Sequence, residues 1–175
     1  MPTSAITVDP RVHAIVLAFN SSDLDVDPSV SGISMVGTPG QPIVDVIVRN
    51  GVIRSITPSG ANSGILAGNI NTVAVEHMRF VDTRRGFNAP SQTDANINVN
   101  FDACVFDLKG ATGTSRRGIV MGTVQGTKIQ DCSFLANDPN ETVAGGIGIL
   151  LINNARDAQI KRCTFDGLTK SGISM

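Results

Sequence analysis

Ile129-Gln-Asp-Cys132-Ser-Phe134 and Ile160-Lys-Arg-Cys163-Thr-Phe165 are two copies of one pattern: apolar, two polar, small or apolar, one variable, apolar. Three earlier copies read Val48-Arg-Asn-Gly51-Val-Ile53, Val75-Glu-His-Met78-Arg-Phe80 and Phe101-Asp-Ala-Cys104-Val-Phe106. Their first residues, 48, 75, 101, 129 and 160, stand 27, 26, 28 and 31 apart. A repeat of that length is the mark of a solenoid, in which each unit buries its apolar face against the next.

Each copy follows a stretch of strict alternation, as in Val44-Asp-Val46-Ile-Val48, Ile97-Asn-Val99-Asn-Phe101 and Thr127-Lys-Ile129. Period two is the pattern of a strand with one face buried. The two-polar step breaks that period once. A slip of one residue would turn the apolar face outward unless the chain bends there. The spacing therefore predicts a strand, a tight corner, and a second strand whose Cys or Met and Phe point inward. Gly64-Ile65, Gly118-Ile119 and Gly148-Ile149 predict a third short strand upstream of the anchors. Loops are expected where the period is stretched, at 82–95 and 135–145.

Three short strands per period with no helical stripe resemble the right-handed parallel β-helix, the pectin-lyase-like superfold. The recurring Cys-Ser-Phe, Cys-Thr-Phe and Gly-Ile pieces carry the resemblance over residues 31–175. It implies an all-β right-handed parallel β-helix of about five to six coils. Residues 1–30 are expected to form an N-terminal capping segment, with 11–19 as strand or short helix and 20–27 as a loop. A leucine-rich repeat would place Leu at the anchors, where this chain has Ile, Val and Phe. A β-sandwich would show turn signals every ~8–12 residues without a longer repeat.

The superfold hosts lyases, hydrolases, tailspikes, adhesins and inert scaffolds, so the fold does not choose the activity. Its polygalacturonase-type enzymes resemble one another in an Asn-Thr-Asp piece, paired aspartates, Gly-His-Gly and Arg-Ile-Lys. This sequence has none of these, and Gln159-Ile-Lys161 is the nearest fragment. With no Trp and no Tyr, the chain also lacks the aromatic platforms on which sugar faces usually stack.

Stacking the copies gives an outward polar column of Arg49, Glu76, Asp102, Gln130 and Lys161. Glu76 and Asp102 would be neighbours one coil apart. Two carboxylates that close share a proton or a cation, and Ca2+ is the cofactor such a pair would take. His77 beside them has the chemistry of a general base. Glu76, His77 and Asp102 are thus the catalytic candidates, with solvated corner residues as the plainer reading. Asp131 and Arg162 are expected to form a coil-to-coil ion pair. The doublets Arg84-Arg85 and Arg116-Arg117, with Lys109 and Lys170 in equivalent loops, form a basic loop face suited to an acidic polysaccharide. Phe87 is the one phenylalanine that the core does not claim, so the binding candidates are Arg84, Arg85, Phe87, Arg116 and Arg117.

Cys104, Cys132 and Cys163 fall at one repeat position, with Gly51 and Met78 completing the column. Neighbours there come within reach of a disulfide, while an inward ladder of soft thiols is the blander reading. Spacings of 28 and 31 match no zinc motif, so no metal site is expected. A net charge of −1 favours neither nucleic acid nor an anionic membrane. No apolar run is long enough to insert in a bilayer, and no secretory signal is expected.

The pentapeptide Ser31-Gly-Ile-Ser-Met35 recurs as Ser171-Gly-Ile-Ser-Met175. An exposed strand edge at residues 171–175 is a template for a further coil, by homo-oligomerisation or end-to-end stacking. The preferred function is a non-catalytic β-helical scaffold or binding module. It would be part of a spike, a fibre or a larger surface protein, on a virion or a cell. The alternative is a carbohydrate-active enzyme, of polysaccharide lyase or glycoside hydrolase type, acting on an acidic polysaccharide.

Overall fold

The protein, seen in a computed structural model, is a parallel β-solenoid of about five turns. The structure describes residues 4–11, 13–20, 23–26, 31–56, 63–90, 96–108, 116–136, 146–168 and 170–175, and contains no helix among them. Strands stack in three parallel ladders. The first runs through Ser4–Thr7, Ser31–Val36, Ser63–Gly68, Arg85–Ala89, the start of Arg116–Gln125, the start of Gly146–Arg156, and Ser171–Ser174. The second runs through Ile15–Ala18, the early parts of Ile43–Ser55 and Ile70–Val81, then Asn96–Asp102, Lys128–Gln130 and Gln159–Lys161. The third links Asp23–Val26, the ends of the two long strands, Val105–Asp107, Ser133–Leu135 and Thr164–Asp166.

The two-polar step is the corner between the second and third ladders. Its second residue adopts the left-handed conformation in every copy: φ is 60° at Asn50, 50° at His77, 48° at Ala103, 53° at Asp131 and 51° at Arg162. This turns the corner amide toward the next coil, as when the Ala103 N–H donates to Gln130 O at 3.2 Å and Asp131 N–H to Lys161 O at 3.1 Å. A second column of left-handed residues, Ala14, Asp45, Thr72, Asn98, Gly126 and Asp157, marks the entry to the second ladder. Asn and Asp suit that conformation, which explains the polar punctuation of an otherwise apolar chain.

The interior is built from side-chain ladders. Phe80 and Phe106 stack with centroids 4.9 Å apart, Phe106 and Phe134 at 4.8 Å, and Phe134 and Phe165 at 5.0 Å, with planes within 9° of parallel. The spacing is that of hydrogen-bonded strands, so backbone and rings keep one repeat. The Gly-Ile strand explains itself against these rings. A Cβ at Gly64, Gly86, Gly118 or Gly148 would lie within 3 Å of a ring carbon of Phe80, Phe106, Phe134 or Phe165 of the same turn. Glycine there makes room for phenylalanine; the next residue, Ile65, Phe87, Ile119 or Ile149, is fully buried.

Two expectations change. Residues 1–30 contain a strand, Asp23–Val26, where 20–27 is expected to be a loop. Over the described residues they form three strands that pair in parallel with the following turn. The alternation of Asp23-Leu24-Asp25-Val26 turns Leu24 and Val26 toward the interior and leaves both aspartates exposed. The stretch 82–95, read as a loop, contains the strand Arg85–Ala89; residues 91–95 lie outside the described residues. Of the expected loop 135–145, Leu135 ends a strand and 137–145 lie outside the described residues.

Candidate functional site

The outward polar column forms in the order the repeat predicts. Arg49 stands in register with Glu76, Glu76 with Asp102, Asp102 with Gln130 and Gln130 with Lys161. Glu76 and Asp102 are therefore direct neighbours on adjacent turns. Asp102 accepts a hydrogen bond from Gln130 Nε2 at 2.8 Å, which occupies one carboxylate oxygen on the side away from Glu76. Among the described residues, no group of three or more His, Cys, Asp and Glu gathers in a form that would hold a metal ion.

His77 occupies the left-handed corner and is exposed. With Asn20, Asn50 and Arg79 it lines an open cleft of about 460 Å³ beside Gly51. Arg79 is not free to serve that cleft alone, because its guanidinium reaches one turn along to Asp107 at 2.7 Å. Further along the same corner column stands the expected ion pair: Arg162 donates from Nε and Nη2 to the two carboxylate oxygens of Asp131 at 2.6 and 2.7 Å. This fork holds the Asp131 carboxyl below its ordinary range.

The arginine doublets sit differently from their expected loop positions. Arg84 is at the bend before a strand, while Arg85, Arg116 and Arg117 are in the opening residues of strands in the first ladder. Arg85 and Arg117 are in register on adjacent turns, and the Arg117 N–H donates to Arg84 O at 3.0 Å. Burial, then the charges of Arg84 and Arg117, push the Arg85 guanidinium below its ordinary pKa. Arg116 does not belong to a surface face. It is 2% exposed and donates from Nη1 to Leu108 O at 3.1 Å, as a structural brace. Lys109 lies outside the described residues, and Lys170 is exposed.

Phe87 corrects the reading that left it free. It is fully buried, edge-on to Phe101 with centroids 4.9 Å apart. It pairs in register with Ile65 and Ile119, so Gly86-Phe87 is itself a copy of the Gly-Ile strand. The signal was present in the glycine, and the aromatic replacement concealed it.

The cysteine column forms as expected, and all three thiols are free. Cys104 donates to Val75 O at 3.3 Å and Cys132 to Gln130 O at 3.1 Å. The Cys104 thiol beside it, then burial, pushes the Cys132 thiol up, and burial raises Cys163 as well. Such thiols are poor nucleophiles.

Comparison with protein-family models, with curated proteins and with solved structures finds no match to this chain.

Proposed function

We propose that this protein is a non-catalytic β-helical scaffold or binding module of the pectin-lyase-like kind, part of a spike, fibre or larger surface protein. In this reading the strand Ser171–Ser174 accepts a further parallel turn, which a second copy of the chain can supply. One observation carries it. Ile33, Ile65, Phe87, Ile119, Ile149 and Ile173 form a single in-register column; the first five are fully buried, and Ile173 is 41% exposed. Beside it Phe165, at the open end of the ring stack, is only half-buried. An apolar surface whose pattern matches every covered layer beneath it, with strand edges unpaired, favours addition of another layer.

Sedimentation velocity over a concentration series tests the reading. The mass should grow with concentration, and Ile173→Lys should hold the protein at the monomer mass while leaving its fold intact. A monomer at every concentration for the unmodified chain would contradict the proposal.

A further inference from the structure

Three arginines on this solenoid meet a carboxylate one turn away. Arg54 reaches Asp23, Arg79 reaches Asp107 and Arg162 reaches Asp131. Arg85 instead meets a like charge, since the residue one turn along is Arg117. Both side chains are half-buried, and the Nε of each is enclosed without a hydrogen-bond partner. Among the described residues neither makes an ion pair. Arg84 adds a third positive charge beside them.

Two arginines on strands about 4.8 Å apart, with side chains partly withdrawn from water, repel each other more than they would in solvent. Withdrawing charge without a partner is costly, and an anion supplied from outside removes that cost. The guanidinium fork presents parallel N–H donors that match the oxygens of a tetrahedral oxyanion. Ser63 is next in the same column, in register with Arg85, and is a buried hydroxyl residue.

We propose that Ser63, Arg85 and Arg117 form an oxyanion site across three successive turns, which takes a sulfate or phosphate group. The two guanidinium groups bridge the oxyanion and the hydroxyl closes one side. The group comes either as a free ion or as an ester carried on a sulfated polysaccharide.

Calorimetric titration of the whole chain with inorganic sulfate and phosphate, at fixed ionic strength in chloride, tests the site. Low millimolar concentrations avoid the general salting effect of sulfate on stability. Binding should be lost in Arg85→Gln and Arg117→Gln, and Arg117→Lys, which keeps the charge without the fork, should bind about tenfold more weakly. Arg156→Gln, at an exposed position elsewhere, should bind as the parent does. Both glutamine variants relieve repulsion, so they should melt no lower than the parent without sulfate. Dextran sulfate at equal sulfate content distinguishes the sources: tighter binding assigns a polymer-borne ester, and equal binding a free ion. Absence of binding by the parent chain, or equal binding by Arg85→Gln and Arg117→Gln, would overturn the proposal.

Discussion

Phe106 and Gly86 are coupled through one point of contact, and breaking it from each side gives a test of the packing. Phe106 is fully buried, stacked on Phe80 at 4.9 Å and on Phe134 at 4.8 Å. Burying such a side chain stabilises by up to about 3 kcal/mol, and each stacked neighbour adds about 0.5–1.5 kcal/mol. With neighbours on both faces, Phe106→Ala should cost about 4–5 kcal/mol, the upper part of the usual range for such a truncation. Phe165 is half-buried with one stacked neighbour, so Phe165→Ala should cost about 2 kcal/mol. Gly86→Ala drives a methyl group against the Phe106 ring and should cost about 2–3 kcal/mol as overpacking. In the Phe106→Ala background the ring no longer opposes that methyl group and only the Gly118 carbonyl oxygen, 2.8 Å away, still does, so the cost should fall by about 1–2 kcal/mol. Urea unfolding of the four proteins, with slopes compared as well as midpoints, gives the coupling energy. Additivity within about 0.5 kcal/mol would refute the contact, and equal costs at Phe106 and Phe165 would refute the graded ladder.

Other expectations follow from the same geometry. At Ala103, with φ 48°, replacement by valine should cost roughly 1–2 kcal/mol and replacement by glycine should not; thermal melting separates the two. Asp131 has a folded pKa below its unfolded value because Arg162 holds it. Its contribution is therefore present above the unfolded value of about 3.9 and is lost as pH falls through the lower folded one. Arg162→Gln should move the Asp131 titration, followed by carboxyl NMR, back up; an unmoved titration would contradict the pair. Thiol labelling of the folded chain should modify the half-buried Cys163 first, with Cys132 and Cys104 protected until unfolding. Rapid labelling of Cys132 would contradict its burial.

The sequence made the middle of the solenoid legible because there one motif repeats with its chemistry intact. The phenylalanines at 80, 106, 134 and 165, the cysteine column and the Asp131–Arg162 pair all lie where the period places them. The N-terminal turn was concealed by spacing. Leu17 pairs with Val48 and Asp23 with Val52, so six residues there span a corner that four span in the next turn. Phe87 was concealed by chemistry, since an aromatic in the isoleucine column looks like a break in it. The arginines were found as doublets, but their number in sequence did not say which of each pair the fold would bury. Arg116 braces a backbone carbonyl while Arg117 stands in register with Arg85, a distinction made by how the chain enters the strand.

The stacked register positions the corners, the ring ladder and the arginine pair alike, and through-space proton contacts between the aromatic rings in solution test it most directly. Contacts are expected from Phe106 to Phe80 and to Phe134, and from Phe134 to Phe165, with Phe87 meeting Phe101. Rings of Phe80 and Phe134, two turns apart, should show none. Contacts between Phe80 and Phe134, or a solvent-exposed Phe87 ring, would contradict the stacking.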